Sequence, residues 1–205
     1  MRQIVSTLSL IGVGLLSVGV ATVAFSDSDD HHERHEREGH QRERHEHVRW
    51  LKPRADVAPV ANETYREECS ACHMAYQPGL LPADAWQQIM SPEGLADHYG
   101  DDAWLPDELR VELTTYLIDN SADKARRSRS RAFAVPSDGS VEGALPRISE
   151  TRYFRHEHHE IPSRLVAGNP QVASFSQCNA CHRGADEGVY NEHQVVIPGA
   201  GRWED

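Results

Sequence analysis

Two short words govern the reading of this chain: Cys69-Ser70-Ala71-Cys72-His73 and Cys178-Asn179-Ala180-Cys181-His182. Each places two cysteines three positions apart and follows them at once with histidine. That spacing suits thioether attachment of a haem. Two thiols one helical turn apart reach the vinyl groups along one edge of the macrocycle, and the next imidazole lies over the iron. With 13 histidines among 205 residues, His would follow both pairs by accident in roughly 0.4 % of cases. Two other chemistries use such pairs. A four-thiolate zinc site would need residues 69 and 178 to meet, and it would leave both adjoining histidines without a role. A thioredoxin-like dithiol fits less well, because no βαβ pattern surrounds either motif. The reading is therefore two covalently attached haem c groups, bound through Cys69, Cys72, Cys178 and Cys181, with His73 and His182 as the adjoining iron ligands.

The N-terminus supports an oxidising destination. Residues 1–24 carry one early positive charge at Arg2, then an apolar run, then small residues ending at Ala24. This is the pattern of a secretory signal peptide, with cleavage expected after Ala24. The apolar run from Ile4 to Phe25 is also long enough to span a bilayer as an uncleaved anchor, and only then is membrane contact expected. Either way the remainder is exported, and the expected location is periplasmic. Residues 25–49 follow with six histidines between Ser26 and His47, alternating charge and no aliphatic side chain up to His47. Such a segment cannot bury a core and reads as a disordered tether, with weak metal buffering as its other possible role. The formal net charge of -11 at pH 7 offers no basic surface for nucleic acid.

Folded sequence begins near Trp50. Asn62 is a candidate N-cap, followed by a short helix to Cys72 with Tyr65, Cys69 and Cys72 at i, i+4 and i+7. A second helix is expected from Pro82 to Met90, with Trp86, Ile89 and Met90 on its apolar face. Residues 91–105 read as a loop. The strongest helix opens at Pro106 and runs to about Asn120, with Asp107 and Glu108 complementing its dipole and Leu109, Leu113, Tyr116 and Leu117 at helical spacing. Residues 121–131 hold Lys124, Arg126, Arg127, Arg129 and Arg131 against Asp123, a basic patch suited to a solvated helix end, to haem propionates or to an acidic redox partner. From Phe133 to Phe175 prolines and glycines recur too often for long helices. This half reads as extended chain and turns, with one short helix at the second motif, and a macrocycle would supply the buried surface that its own side chains lack. The fold class is mainly α.

The far side of each iron decides between carrier and catalyst. A Met ligand raises the potential, a second His lowers it, and an open position admits small molecules. Met74 adjoins His73 and cannot reach around the ring, while Met90 belongs to an apolar stripe. His98, in a loop about 25 residues after the first motif's His, is expected as the first haem's sixth ligand. For the second haem the candidates are His156, His158, His159 and His193.

The chain resembles the periplasmic dihaem cytochromes c over roughly residues 62–198. The likeness rests on Cys69 to Pro82 with Trp86 and Met90, on Gly94-Leu-Ala-Asp-His98-Tyr-Gly-Asp-Asp-Ala103, on Ile148 to His158, and on Cys178 to His182 followed by Gly188 to Pro198. A His before an aromatic-Gly pair matches His98, and the His of a Glu-His pair matches His158, so the resemblance favours His158 and implies bis-histidine iron at both sites. It also implies a cytochrome c-like haem domain over 50–122 and a second haem-binding segment over 123–205 with little regular structure. It implies electron transfer rather than catalysis, through two low-potential haems, between a membrane b-type cytochrome and a small monohaem oxygen-binding cytochrome. The alternative is a dihaem redox enzyme, peroxidase- or reductase-like, with one open iron position; no base and arginine pair stands near either motif. The long tether departs from the family, as does Tyr99, where Phe is usual.

Overall fold

Asn62 starts the first helix as expected: its side-chain oxygen accepts the Tyr65 amide at 2.8 Å, satisfying one of the first-turn donors. That helix, α1 (Glu63–Cys69), ends earlier than the sequence suggested. Cys69 closes it, Ser70 caps it, and Cys72 and His73 lie in the turn beyond. The structure, a computed structural model, describes residues 54–135 and 143–203. The expected signal peptide (1–24) and tether (25–49) lie outside the described residues.

Two further helices match their sequence signals. Helix α2 (Ala83–Ile89) follows Pro82 and ends at Met90, and its first amide is held by the Asp123 carboxylate at 2.9 Å. A five-residue helix, α3 (Pro92–Ala96), stands where a loop was expected; Ser91 caps it by accepting the Gly94 amide at 2.9 Å. Helix α4 (Asp107–Asp119) runs between Pro106 and Asn120 as the spacing predicts. It packs on α2, so that Trp86, Ile89, Leu113 and Leu117 share one buried cluster with Tyr65 and Met90. The Trp86 indole N–H, buried with that cluster, donates to the Pro78 carbonyl at 2.7 Å and leaves no polar debt in the core.

The second half contains more helix than its prolines suggested. Helix α5 (Ser128–Ala132), helix α6 (Arg152–His158), capped by Thr151 through the Phe154 amide at 3.2 Å, and the single turn α7 (Cys178–Cys181) are joined by irregular chain. A small antiparallel hairpin, β1 (Val196–Ile197) with β2 (Gly201–Arg202), closes the chain. The architecture is helix-rich with little sheet. This half's buried Phe133 and Phe154 share a cluster with Val57, Leu80 and Ala122 from the first half. The described residues accordingly form one compact unit.

An N-terminal strap fastens that unit. The amides of Asp56 and Val57 both donate to the Gly188 carbonyl, at 2.8 and 3.1 Å, and an Asp56 carboxylate oxygen accepts the Tyr190 amide at 2.7 Å. Gly188 has φ +74°, and a Cβ there would stand 2.4 Å from the Val57 carbonyl oxygen. Gly188→Ala is therefore expected to cost about 1–3 kcal/mol for the left-handed backbone, with the clash added to it. The denaturant midpoint of the holoprotein measures this loss, at an unchanged dependence on denaturant.

Candidate haem sites

The first motif faces a tight turn. His98 and Asp101 pair across it, His98 N donating to Asp101 O at 2.7 Å and Asp101 N to His98 O at 3.3 Å. The two intervening residues, Tyr99 and Gly100, have φ of 58° and 105°. A two-residue connection with both φ positive matches the twist of its flanking strands and favours Gly at its second position. The Asp97 carboxylate supports the turn by accepting the Gly100 amide at 3.1 Å. Tyr99 donates its hydroxyl to the Pro146 carbonyl and lies under the Arg147 guanidinium, 4.3 Å from the ring centre. The phenol at this position thus has a partner of its own.

This turn sets the His98 ring opposite that of His73, with centres 6.1 Å apart and planes 20° from parallel. At the second site His158, in the last turn of α6, faces His182, just past α7, with centres again 6.1 Å apart but planes 70° from parallel. Metal–imidazole bonds run about 2 Å, so two imidazoles gripping one metal from opposite sides place their ring centres about 6 Å apart. Both pairs have the separation that a six-coordinate iron requires. A cavity of about 440 Å³ adjoins the second pair; Phe133, Phe154, Val166 and Phe175 line it together with Cys178 and Cys181. That is the volume and apolar lining of a small-molecule site.

The chemistry of the donors fits the same occupant. His73 Nδ1 lies 2.7 Å from the Met74 carbonyl and His158 Nδ1 2.9 Å from that of Phe154, partners that fix ring orientation and leave the other nitrogen for metal. The Nδ1 atoms of His98 and His182 are buried without a partner, so each pair is asymmetric. Burial lowers the pKa of His98 and of His158, and burial with nearby His158 lowers that of His182 to about 4. These three imidazoles are held neutral, the form that binds metal. The thiols shift the other way. Burial pushes Cys69 up to about 12 and Cys178 up to about 11, opposite to the depressed values of redox-active dithiols. Among the described residues no three His, Cys, Asp or Glu side chains converge as a metal cluster, so the two CxxC pairs do not build the zinc site.

The remaining candidates fall elsewhere. His156 and His159 are exposed at the rim of the second cavity and stack on each other. The His193 side chain is 83 % exposed. Met90 is buried beside Trp86 and Ile89. Within the basic patch, Lys124 pairs with Asp119 at 3.2 Å, Arg127 reaches the Ala55 carbonyl, and Arg129 pairs with Asp56 at 3.7 Å on the wall of the second cavity. Its inner members bind the strap. Tyr76, Gln77 and Tyr190, to which the sequence assigned no role, connect the two sites across a hundred residues or more.

Similarity to known proteins agrees with this geometry. The sequence profile of the dihaem cytochrome c family matches residues 65–190. A diheme type c cytochrome from Shewanella baltica OS155 is 38 % identical, covering 70 % of this chain and 98 % of its own, with a TM-score of 0.57. A diheme cytochrome c from Rhodobacter sphaeroides is 37 % identical, covering 65 % of this chain and all of its own, with a TM-score of 0.53. No curated protein matches. Two CxxCH motifs, each with a second imidazole opposite its histidine, and a match extending from Tyr65 to Tyr190 place this chain in the dihaem cytochrome c family, with two covalently bound haem c groups.

Proposed function

We propose that this protein is a periplasmic electron carrier whose irons are each held by two histidines, His73 with His98 and His158 with His182. The observation that carries the reading is the 6.1 Å separation of both imidazole pairs. The bound haems supply one-electron chemistry, the iron alternating between ferric and ferrous. The four histidines would hold the irons, two to each, and nitrogen on both sides favours low potentials. A peroxidase- or reductase-like activity needs an open position on one iron, and the second imidazole, 6.1 Å from the first at each site, would fill it.

On this reading the first site sits in a cytochrome c-like domain over 50–122, and the segment 123–205 wraps the second haem. Cys69 and Cys72 attach the first group, Cys178 and Cys181 the second. The partners are a membrane b-type cytochrome and a small monohaem oxygen-binding cytochrome, neither of which requires a catalytic residue here. The test is a redox titration of the exported holoprotein with optical and electron paramagnetic resonance detection, followed by carbon monoxide on the reduced form. Two low-spin centres and no prompt spectral change with carbon monoxide are expected. A rapid carbon monoxide shift in the parent protein would refute six-coordination.

A further inference from the structure

Three side chains outside the ligand set tie the two haem sites together. The Tyr76 ring stacks on His73, centres 4.9 Å apart and planes at 27°. Its hydroxyl donates to the Ser176 carbonyl at 2.6 Å, two residues before the first cysteine of the second motif. The same carbonyl lies 3.8 Å from the Cys178 sulfur. Gln77, fully buried, makes the second connection. Its amide nitrogen donates to the Ala185 carbonyl at 2.7 Å and its oxygen accepts the Tyr190 hydroxyl at 2.6 Å. Tyr190 in turn presents its ring to His182, centres 5.4 Å apart at 65°.

From these contacts we infer that the Tyr76-Gln77 dipeptide is the joint that fixes the two haem sites relative to each other, one arm running through Tyr76 to the second attachment loop and the other through Gln77 and Tyr190 to His182. The inference rests on the electron-carrier reading and adds positioning residues to it. A buried amide with both ends satisfied in one geometry is costly to rearrange, since each unmade bond leaves a buried polar group unpaired. Tyr76 also packs against both hydrophobic clusters, so movement of either half is transmitted to it. With both haems bound, the exchange these residues would govern is the passage of one electron from a ferrous to a ferric iron. No bond is made or broken in that exchange.

The test compares holoprotein with Tyr76→Phe, Tyr190→Phe and the double variant. Each retains its aromatic ring and loses one hydroxyl bond. The readouts are the intramolecular exchange rate after flash reduction and the magnetic interaction between the two ferric centres; the low-spin signals check that ligation is intact. Each single variant is expected to slow exchange severalfold and weaken the magnetic interaction, with the double variant slower than either. If the double variant keeps low-spin haems and matches the parent in both readouts, the joint is overturned and the haem groups themselves set the relation. Were the double variant to lose a haem, the two singles would decide by the same criteria. Absence of any exchange in the parent would instead refute the electron-carrier reading.

Discussion

His158→Ala is expected to convert the second haem alone from a six-coordinate low-spin centre to one with an open position. The reduced variant should then bind carbon monoxide at one haem per chain. The effect is large because the His158 ring is what stands opposite His182, 6.1 Å away, and alanine offers no donor. The neighbours do not substitute: His156 and His159 are exposed at the rim and stack on each other, so His156→Ala and His159→Ala should leave both spectra unchanged. The ring planes identify which haem has responded. Imidazoles 20° apart at the first site would split the pair of iron d orbitals that overlap the ring π systems. Imidazoles 70° apart at the second leave those orbitals nearly degenerate and give a larger highest g value. The signal with the larger g should disappear in His158→Ala while the other stays. Loss of the other signal, or of neither, removes His158 from the ligand set.

Much of the first half was legible because its signals are local. Asn62 before an acidic turn, Pro82 and Pro106 at helix starts, and leucines at helical spacing each report structure within a few residues. The extent of α1 was misread because Tyr65, Cys69 and Cys72 keep a helical period that the chain abandons after Cys69. Helix α3 went unread although Ser91-Pro92-Glu93 is a start signal, since five residues show no period. In the second half the difficulty is different. Helix α6 turns Phe154 and His158 toward a cofactor cavity, so its inward face mixes an aromatic with an imidazole and does not look amphipathic. The four attachment cysteines and the two histidines beside them were legible as words. His98 stood out by its place in a loop, whereas spacing left His158 among four candidates until the fold set it opposite His182. Tyr76, Gln77 and Tyr190 carry no local signal, because their partners lie about a hundred residues away.

The dependence of the second half on its cofactor gives the other large effect. Replacing both thiols, Cys178→Ser with Cys181→Ser, should yield a chain with one haem by mass and lose amide protection over residues 152–203, while α2 and α4 keep theirs. The asymmetry follows from where side chains are buried. The first site leans on a cluster in which Trp86, Ile89, Leu113 and Leu117 bury one another, whereas the buried Phe133, Phe154, Val166, Val172, Val195 and Ile197 of the second half all line the cavity. A cavity of about 440 Å³ left without its occupant, at about 24 cal/mol per Å³, would cost about 10 kcal/mol. That figure is an upper limit because water enters an open cavity, yet it is comparable to the about 5–15 kcal/mol that stabilises a whole domain. Local unfolding of this half relieves the cost without opening the α2–α4 interface. Hydrogen exchange followed residue by residue separates the outcomes. Uniform loss of protection along the chain would show that the two halves fold as one cooperative unit, and full protection over 152–203 would show that side chains alone hold the second half together.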